Sequence, residues 1–584
     1  MAPTRRTATP GPPRTRSVDE SAPRKKVAIV GSGCAGIGAL WALKDTDYEI
    51  HLFEKNSRLG GHTNTQPWKG EKASTKVDTG FIVMNTATYP NFIRFLEHVG
   101  VKTSKTEMTF SVSRDGGKFE WSGEGRGIFA QRRNIFRLRH WRMIFDIIRF
   151  NQFALDLLSR DDETSRNLTI GEYLDQNGYS QAFRDDYLIP MTAAVWSTSP
   201  DKASLEFPAV TLVRFMWNHH LLSTLAERPA WLTISYGSQQ YIDTVTSQFS
   251  EDRLKTFLGC EVQGIKRPER SVGGDITLIA RERDGELVSD RYDHVILACH
   301  GDEVLPILTG FPFEESGALG TQRRKSGGRF YPKEVTTSDG EVDFERVTYE
   351  QINDLGYTQG ITKDEYDVFK HFKTTENVCY LHSDLSLMPR RRDTWTSWNY
   401  LVTSQPSKRA HPAGVSLTYN MNILQHIDEE KYGHVLVTMN PPHSPAESRT
   451  QGKFLYRHPL YTTNAIGAQN RLQSIQGTRG VTYCGAWTKY GFHEDGFSSG
   501  LKVAMEHLDG EIPFEFADST FSRGERPEIG WRDSLARLVV SVVLVVLRVL
   551  EAVLGLPAVR GMVGVVEDVG GRVLDFAEGA GVLQ

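Results

Sequence analysis

Cysteine is scarce in this sequence, and the few cysteines show no pattern that would join them. The 584 residues contain five, which are widely separated and include no C-x-x-C: Cys34, Cys260, Cys299, Cys379 and Cys484. An odd number of scattered cysteines argues against a disulfide framework and against a structural zinc site. We therefore expect buried free thiols in a reducing compartment, and no metal centre.

Two further absences narrow the function. The formal net charge is only −4, so global charge gives no reason to expect nucleic-acid binding. The first 25 residues are rich in Pro, Arg, Ser and Thr but lack the apolar segment of a secretory signal peptide. We interpret residues 1–25 as a disordered tail and expect an intracellular protein, either cytoplasmic or peripherally attached to a membrane.

The most informative stretch that is present lies near the start of the chain. KVAIVGSGCAGIGAL, residues 26–40, runs from an apolar strand through Gly31, Gly33 and Gly36 into a helix. This spacing gives a tight turn, lets a diphosphate approach the backbone and lets the helix pack closely on the strand. The next strand ends at Glu54, whose carboxylate would accept hydrogen bonds from a ribose. The motif predicts a dinucleotide site and leaves NAD and FAD both open.

Three later segments favour FAD. Arg58 and the pair Gly60–Gly61 form a second glycine loop, and VDTGF, residues 77–81, follows on a buried-looking strand. Near the other end of the chain, CGAWTKYGFHEDGFSSG predicts a strand, a turn and a helix that begins near Asp495–Gly496. A helix N-terminus near the flavin would stabilise negative charge on the reduced ring. NAD needs only the first motif, whereas FAD would use all of them.

These segments resemble the flavin-containing amine oxidase and phytoene desaturase superfamily. The likeness rests on LGGHTNT, VDTGFIVMN, LHSDLSLMPRRRDTWTSWNY and GFHEDGFSSG, and it is greatest for a branch of NAD(P)/FAD-binding oxidoreductases found beside cyclopropane-fatty-acyl synthases. The resemblance implies that the backbone of Val262 contacts the adenine. It also implies that FAD is bound by Gly31, Gly33, Gly36, Glu54, Arg58, Gly60 and Gly61. Further candidates for contact with the cofactor are His62, Gly485, Asp495, Gly496 and Phe497.

Two positions depart from the pattern of this superfamily. Amine oxidases usually have Arg after the second glycine pair, whereas this chain has His62. They commonly have an acidic residue after the C-terminal glycine, whereas Gly485 is followed by Ala486 and Trp487. Both differences weaken an amine-oxidase assignment, and neither weakens FAD binding.

The predicted fold is α/β, with a Rossmann-type FAD-binding domain of the glutathione-reductase and amine-oxidase type. An α+β substrate domain would interrupt it twice, and residues 86–230 are predicted to be mostly helical. The FAD-binding domain is expected to comprise residues 26–86, 232–305 and 479–510. The substrate domain is expected to comprise residues 87–231 and 306–478. Residues 530–584 are expected to form C-terminal apolar helices.

Flavin oxidation mainly requires a hydride donor held against flavin N5 in a dry pocket. A conspicuous acid–base pair is therefore not required. The aromatic and amide candidates would form a wall beside the flavin, and His493 or Glu494 would move a proton. A packing role remains open for each of them. Arg390–Arg392 would hold an acidic head group or form a surface cluster of ion pairs. The candidate pocket residues are His382, Trp398, Asn399, Tyr400, His493 and Glu494.

Two segments point to lipid. Residues 132–153 alternate basic and large apolar side chains, as membrane-surface helices and ordinary amphipathic helices both do. In residues 534–556 the uncharged run from Leu538 to Leu547 covers only ten residues, which is short of the roughly 20 that span a bilayer. A narrow polar stripe on this second helix predicts that it lies in a membrane interface. The alternatives are a tilted hairpin with the later apolar segment and docking on the protein's own surface.

The leading hypothesis is an FAD-dependent oxidoreductase with a hydrophobic substrate, a fatty-acyl chain or related lipid. It would transfer hydride from the substrate to flavin N5 and form a double bond. Two alternatives remain open: a flavin amine oxidase that uses oxygen, and a redox-neutral flavin-dependent isomerase.

Overall fold

The computed structural model describes residues 24–159, 168–196, 205, 207–222, 229–267, 276–309, 348–354, 360–403, 416–524 and 526–554. Most of the predicted N-terminal tail lies outside these residues, as does the predicted C-terminal apolar region beyond residue 554. All five cysteines lie within them and are free thiols.

The strands and helices follow one another in a mixed order along the chain. The strands are β1 (Lys26–Val30), β2 (Glu49–Glu54), β3 (Thr65–Lys69), β4 (Ser74–Asp78), β5 (Val83–Asn85), β6 (Thr103–Thr106), β7 (Phe110–Arg114), β8 (Phe119–Ser122), β9 (Trp231–Ile234), β10 (Leu254–Leu258), β11 (Glu261–Lys266), β12 (Ile276–Arg281), β13 (Leu287–Tyr292), β14 (His294–Leu297), β15 (Lys373–His382), β16 (Trp398–Val402), β17 (Ser416–Asn420), β18 (Leu436–Met439), β19 (Thr450–Leu460) and β20 (Val481–Tyr483). The helices are α1 (Cys34–Ala42), α2 (Pro90–His98), α3 (Leu138–Phe153), α4 (Ile170–Gln176), α5 (Gln181–Phe183), α6 (Ile189–Trp196), α7 (Ala209–Asn218), α8 (Gln239–Thr246), α9 (Gly301–Thr309), α10 (Tyr349–Asp354), α11 (Lys363–Phe369), α12 (Met421–Leu424), α13 (Glu429–Tyr432), α14 (Thr463–Gln469), α15 (His493–His507) and α16 (Trp531–Leu554).

A parallel sheet carries the glycine turn. Its strand order in the described part of the chain is β10–β2–β1–β14–β20, and every neighbouring pair runs parallel. The sequence KVAIV suits β1 because a strand covered on both faces needs a nearly continuous apolar run, and Val27 to Val30 are buried. This arrangement is the α/β Rossmann-type sheet predicted from the sequence.

Helix α1 is sandwiched between this sheet and α15. Three glycines make the close approach possible: a Cβ on Gly36 would lie 2.0 Å from the Gly31 carbonyl oxygen, and a Cβ on Gly500 would lie 2.0 Å from the Ala35 carbonyl oxygen. A Cβ on Gly38 would lie 2.6 Å from the carbonyl oxygen of Phe497. Helix α15 starts at His493, two residues before the predicted Asp495.

A second, mostly antiparallel sheet has the order β19–β15–β18–β17–β16–β7–β8 among the described residues. Residues 86–230, predicted to be mostly helical, contain the six α-helices α2 to α7 among their described residues and three short strands, of which β7 and β8 join this sheet. Strand β7 pairs in parallel with β16, almost 290 residues further along, so Phe110 faces Trp398. Because the two strands are so far apart in the sequence, no local pattern predicts that they pair.

The C-terminal helix α16 lies against α3 along one stripe only. Arg537 Nη1 lies 2.8 Å from Asp156 Oδ1, and Val540 is buried. The remaining surface is apolar and exposed, with Leu538, Val542 and Val545 each more than half accessible. Of the helices in the described ranges, none is long and apolar enough to cross a membrane.

A buried ion pair joins β11, α11 and the C-terminal strand of the parallel sheet. Both side chains, Arg267 and Glu365, are 0% exposed, and Arg267 Nη2 lies 2.5 Å from Glu365 Oε2. The Tyr483 hydroxyl donates to Glu365 Oε1 at 2.5 Å, and Arg267 Nε donates to the Gly360 carbonyl at 2.9 Å. Removal of one partner would leave an uncompensated charge in the interior.

We expect Glu365→Ala to lower the free energy of unfolding by about 3–5 kcal/mol, because the Arg267 guanidinium would stay buried without its counter-ion. Equilibrium urea denaturation measures this loss. The matched control on α11 is Asp367→Ala, which breaks a partly exposed pair with Lys370 and should cost less than about 1 kcal/mol. Equal losses in the two variants would contradict the structural role of the buried pair.

Candidate functional site

One cavity of about 320 Å³ connects the glycine turn to the second sheet. Its wall begins at Gly31 and Gly33, passes Glu54 and the Gly60–Gly61 pair, and ends among aromatic side chains of both sheets. The carboxyl ends of β1 and β2 open into it, which is where parallel α/β sheets bind ligands.

The turn between β1 and α1 is shaped for close backbone approach. Gly31 has φ +103°, and a Cβ there would lie 2.7 Å from the Ala298 carbonyl oxygen, so glycine is required for the turn itself. Gly33 differs, because a Cβ there would have no atom within 4 Å and would project into open space. No side chain caps the N-terminus of α1, and its first turn carries no acid. Its backbone N–H groups therefore face the cavity as an anion site.

Glu54 lies in the cavity wall and fixes the turn. Its Oε2 accepts hydrogen bonds from Ser32 N at 3.1 Å and Ser32 Oγ at 2.6 Å. Its Oε1 accepts from Asn56 N and Asn56 Nδ2. These four donors occupy the four lone-pair sites of the carboxylate, so a ribose hydroxyl would have to displace one of them; Val262 lines the same end of the cavity.

The second glycine loop touches the first. Gly60 N donates to the Ser32 carbonyl at 3.1 Å, and a Cβ on Gly61 would lie 3.1 Å from Gly33 Cα. Arg58 does not line the cavity. Its guanidinium donates to the carbonyls of Gly61 and Thr63 at 2.6 and 2.8 Å, so it holds the loop in place.

His62 follows this loop and lines the cavity. Its ring centroid lies 5.1 Å from those of Tyr456 and His458, and 5.7 Å from that of His300. Its buried Nε2 has no hydrogen-bond partner in the protein. Burial, with the neighbouring histidines, lowers the pKa of His62 well below its ordinary value.

The C-terminal motif is divided between the cavity and the core. Gly485 and His493 line the cavity, whereas Asp495, Gly496 and Phe497 do not. Asp495 accepts hydrogen bonds from the backbone N–H groups of Tyr490 and Phe492 and so shapes the turn before α15. Gly496 gives Cys34 room, and Phe497 packs in the core. Burial raises the pKa of Asp495 to about 6.

Two of the predicted pocket residues, Trp398 and His493, line the cavity. The His493 ring stacks on Phe81 with centroids 3.8 Å apart, and its Nε2 lies 2.8 Å from the Tyr241 hydroxyl. Burial lowers its pKa to about 3, so it is neutral near pH 7, and its predicted role as a proton carrier stays a prediction. Trp398 offers an indole Nε1 that has no hydrogen-bond partner.

The other four candidates do not line the cavity. Asn399 and Tyr400 follow Trp398 on β16; Asn399 Nδ2 donates to the carbonyls of Thr396 and Thr418, and Tyr400 packs inside the second sheet's core. Glu494 accepts hydrogen bonds from backbone groups at the start of α2, where a helix N-terminus favours a carboxylate. His382 Nε2 lies 2.7 Å from Thr438 Oγ1.

Arg390–Arg392 also lie away from the cavity. The backbone N–H groups of Arg390 and Arg391 donate to the buried Glu120 carboxylate, and the Arg392 guanidinium lies 5.2 Å from the Trp395 ring centroid. One ion pair is present, between Arg391 Nη1 and Glu120 Oε2 at 3.4 Å, and the two predicted roles of this segment stay predictions.

The sequence reasoning missed most of the apolar wall. The missed residues come from β17, β18 and the end of β19, from the segment before β5, and from the turns before α9 and α15, which the fold brings together from distant parts of the chain. Period-two alternation was the only signal, as in Tyr456 and His458 on one face of β19. The missed wall residues include Phe81, Ile82, His300, Tyr419, Met439, Tyr456, His458, Tyr461, Tyr490 and Phe492.

The residues of the cavity fit an extended dinucleotide. Gly33 leaves an open cradle at the N-terminus of α1, Glu54 lies where a ribose would be held, and His62 has an unpartnered buried nitrogen. The parallel sheet and this site together define a Rossmann-type dinucleotide-binding protein.

Comparison with known proteins agrees with that class. Residues 29–99 match the NAD(P)-binding Rossmann-like domain family. A stretch of 222 residues is 26% identical to 15-cis-phytoene desaturase of Arabidopsis thaliana, covering 35% of this chain and 37% of that protein. The chain thus spans little more than a third of the length of the curated relatives it matches.

Solved structures share the fold over most of the chain. A fatty acid isomerase from P. acnes that produces CLA superposes with a TM-score of 0.51 at 11% identity, over 84% of this chain and 100% of that one. Putrescine oxidase gives a TM-score of 0.51 at 14% identity, over 83% and 99%. These likenesses agree with the predicted resemblance to the flavin-containing amine oxidase and phytoene desaturase superfamily. The closer branch remains a prediction.

We expect Gly33→Ala to fold normally and to lose bound dinucleotide, because its methyl group would enter the open cradle without meeting protein atoms. The absorbance spectrum of the purified variant and its thermal unfolding measure the two effects separately. The matched control is Gly467→Ala in α14, where a Cβ also meets nothing within 4 Å but lies away from the cavity. Full dinucleotide content in Gly33→Ala would show that the phosphates bind elsewhere.

Proposed function

We propose that this protein is an FAD-dependent oxidoreductase that acts on a hydrophobic substrate, a fatty-acyl chain or related lipid. The observation that carries this proposal is the continuity of one cavity, from a phosphate-binding turn to a chamber of aromatic and aliphatic side chains. The chamber is formed by Phe81, Ile82, Trp398, Tyr419, Met439 and Tyr461.

The charges of the wall favour a neutral substrate over an amine. The carboxylates among the described lining residues are Glu54, Glu261 and Glu303. All three lie near the turn. The backbone N–H of Cys260, the residue before Glu261, donates to the Glu54 carbonyl. Glu303 forms an ion pair with Lys55, the residue after Glu54. Among the described residues of the aromatic chamber, none carries a carboxylate that could pair with an amine. Burying an unpaired ammonium group is costly, so an amine would bind poorly there.

Bound FAD would supply N5 as the acceptor of a hydride from a substrate C–H bond, while the second hydrogen leaves as a proton and a carbon–carbon double bond forms. The protein's own part is to exclude water and to orient the chain. The Tyr461 hydroxyl is buried, lines the cavity and has no hydrogen-bond partner, so it is available to a polar group of the substrate. The pair of Phe81 and His493 gives a rigid apolar wall.

The test is an anaerobic titration of purified protein. We expect a visible flavin spectrum that bleaches when long-chain fatty acids or acyl esters are added, with a product two hydrogens lighter by mass spectrometry. Gly33→Ala protein serves as the control without cofactor. Bleaching by amines alone would favour an amine oxidase, and a product of unchanged mass would favour an isomerase. A protein that binds no flavin would refute the proposal.

We further propose that the protein attaches peripherally to membranes through α16 and α3. The exposed side chains of α16 are mainly Val and Leu, and the adjoining exposed residues Phe136, Leu138 and Trp141 extend this surface onto α3. The exposed Arg139 and the half-buried Arg132 lie in the same segment of the chain, which suits an anionic lipid surface. A contiguous apolar surface of this kind marks an interaction site in a folded protein.

We expect the double variant Val542→Glu/Val545→Glu to lose binding to anionic phospholipid vesicles, because both side chains are exposed on α16 and each apolar contact contributes roughly 1.5–3 kcal/mol. Vesicle co-sedimentation should show a decrease of more than about tenfold. The matched control is Leu455→Glu on β19, an equally exposed leucine far from the helix in sequence. Unchanged sedimentation of the double variant would refute attachment through α16.

A further inference from the structure

Three histidine rings meet at the wall of the cavity. His62 lies at the centre, with the centroid of His458 at 5.1 Å and that of His300 at 5.7 Å, and all three line the cavity. We call these residues the histidine cluster. In the described part of the chain, no group of His, Cys, Asp and Glu side chains has the arrangement of a metal site. The cluster therefore needs another explanation.

The histidine cluster lies beside the phosphate turn. His62 directly follows Gly61, where a Cβ would lie 3.1 Å from Gly33 Cα. His300 follows Ala298 by two residues, and the Ala298 carbonyl abuts Gly31. The two histidines thus approach the turn from separate chain segments. A diphosphate at the N-terminus of α1 would lie next to the cluster.

The permanent cations of this region are already engaged. Lys55 and Arg457 are the lysine and arginine among the described lining residues, and both pair with Glu303, at 2.6 and 2.7 Å. Arg457 also pairs with Asp302. The Arg58 guanidinium donates to backbone carbonyls. The N-terminus of α1 supplies only about half a positive charge against the two negative charges of a diphosphate.

We propose that the histidine cluster takes up a proton from solvent when the FAD diphosphate binds, and so supplies the missing positive charge. This inference rests on the proposed function, because it assumes FAD in the cavity. The proton would reside on His62, whose Nε2 is buried without a hydrogen-bond partner. His458 is already oriented, since its Nδ1 accepts from Asn377 Nδ2 at 2.7 Å.

The electrostatics of the protein without cofactor agree with this assignment. Burial lowers the pKa of His62 well below its ordinary value and that of His458 to about 4. The pKa of His300 is also lowered by burial, against the opposing carboxylates Glu303 and Asp302. Electrostatic repulsion from His493 and Arg58 disfavours a positive charge on His62. Repulsion from Arg457 and Lys55 disfavours a positive charge on His300 in the same way. The cluster is therefore neutral near pH 7 until an anion arrives.

The sign of the pH dependence follows from linkage. The diphosphate raises the pKa of the cluster, so the complex binds a proton that the free protein does not. FAD affinity is then highest at low pH and decreases as the pH rises through the raised pKa of the complex. Each coupled proton gives log Kd a slope of up to about one per pH unit.

The experiment is FAD titration of full-length protein freed of cofactor, followed by flavin fluorescence and by calorimetry in two buffers of different ionisation enthalpy. Between about pH 6 and about pH 8, where histidine titrates, we expect proton uptake and weaker binding at higher pH. His62→Gln should weaken binding about tenfold at the lower pH and flatten the slope. His62→Arg should restore tight binding without pH dependence, because its charge is permanent.

The control is His443→Gln, an exposed histidine outside the cavity, which should keep the wild-type slope. Tight FAD binding with no proton uptake would overturn this inference and leave the proposed function intact. A wild-type slope in His62→Gln would also overturn it. A failure to bind FAD at any pH would refute the proposed function, and this inference with it.

Discussion

The close packing of α1 between the parallel sheet and α15 is the constraint on which the rest of this structure depends. Gly36 lies against the Gly31 carbonyl, and Gly500 lies against the Ala35 carbonyl, with no space for a Cβ at either position. The N-terminus of α1 is thereby held at one place beside the carboxyl end of β1. Since backbone N–H groups and the helix dipole act only over short distances, this placement creates the anion site.

A single cavity then combines two environments that the chain builds from different elements. The polar end comes from short loops of the parallel sheet, in which Glu54, Ser32 and Gly60 are hydrogen-bonded to one another. The apolar end comes from the second sheet, whose strands present Trp398 and Tyr419 side by side. A cofactor held at the polar end would therefore face a substrate chamber from which the aromatic side chains exclude water.

The described parts of the two segments with lipid-like composition, residues 132–153 and 534–554, are far apart in sequence but adjacent in space. Arg537 of α16 meets Asp156 just after α3, and its guanidinium lies 5.3 Å from the Phe153 ring centroid. Docking on the protein's own surface and attachment to a membrane interface, both predicted for the C-terminal helix, are thus compatible. One stripe docks on the protein, and the remaining apolar face stays exposed.

By itself the sequence determined the Rossmann-type half of the protein. Gly31, Gly33, Gly36 and Glu54 are local signals, because turn geometry and helix entry depend on residues close together in the chain. Only the tertiary structure decided which side chains line the apolar end of the cavity. Alternation along β16 directs Trp398 into the cavity and Asn399 into the interior, and His300 and His458 join His62 only through strand pairing and loop packing. Long-range contacts leave no spacing in a single sequence, which is why the dinucleotide turn was readable and the histidine cluster was not.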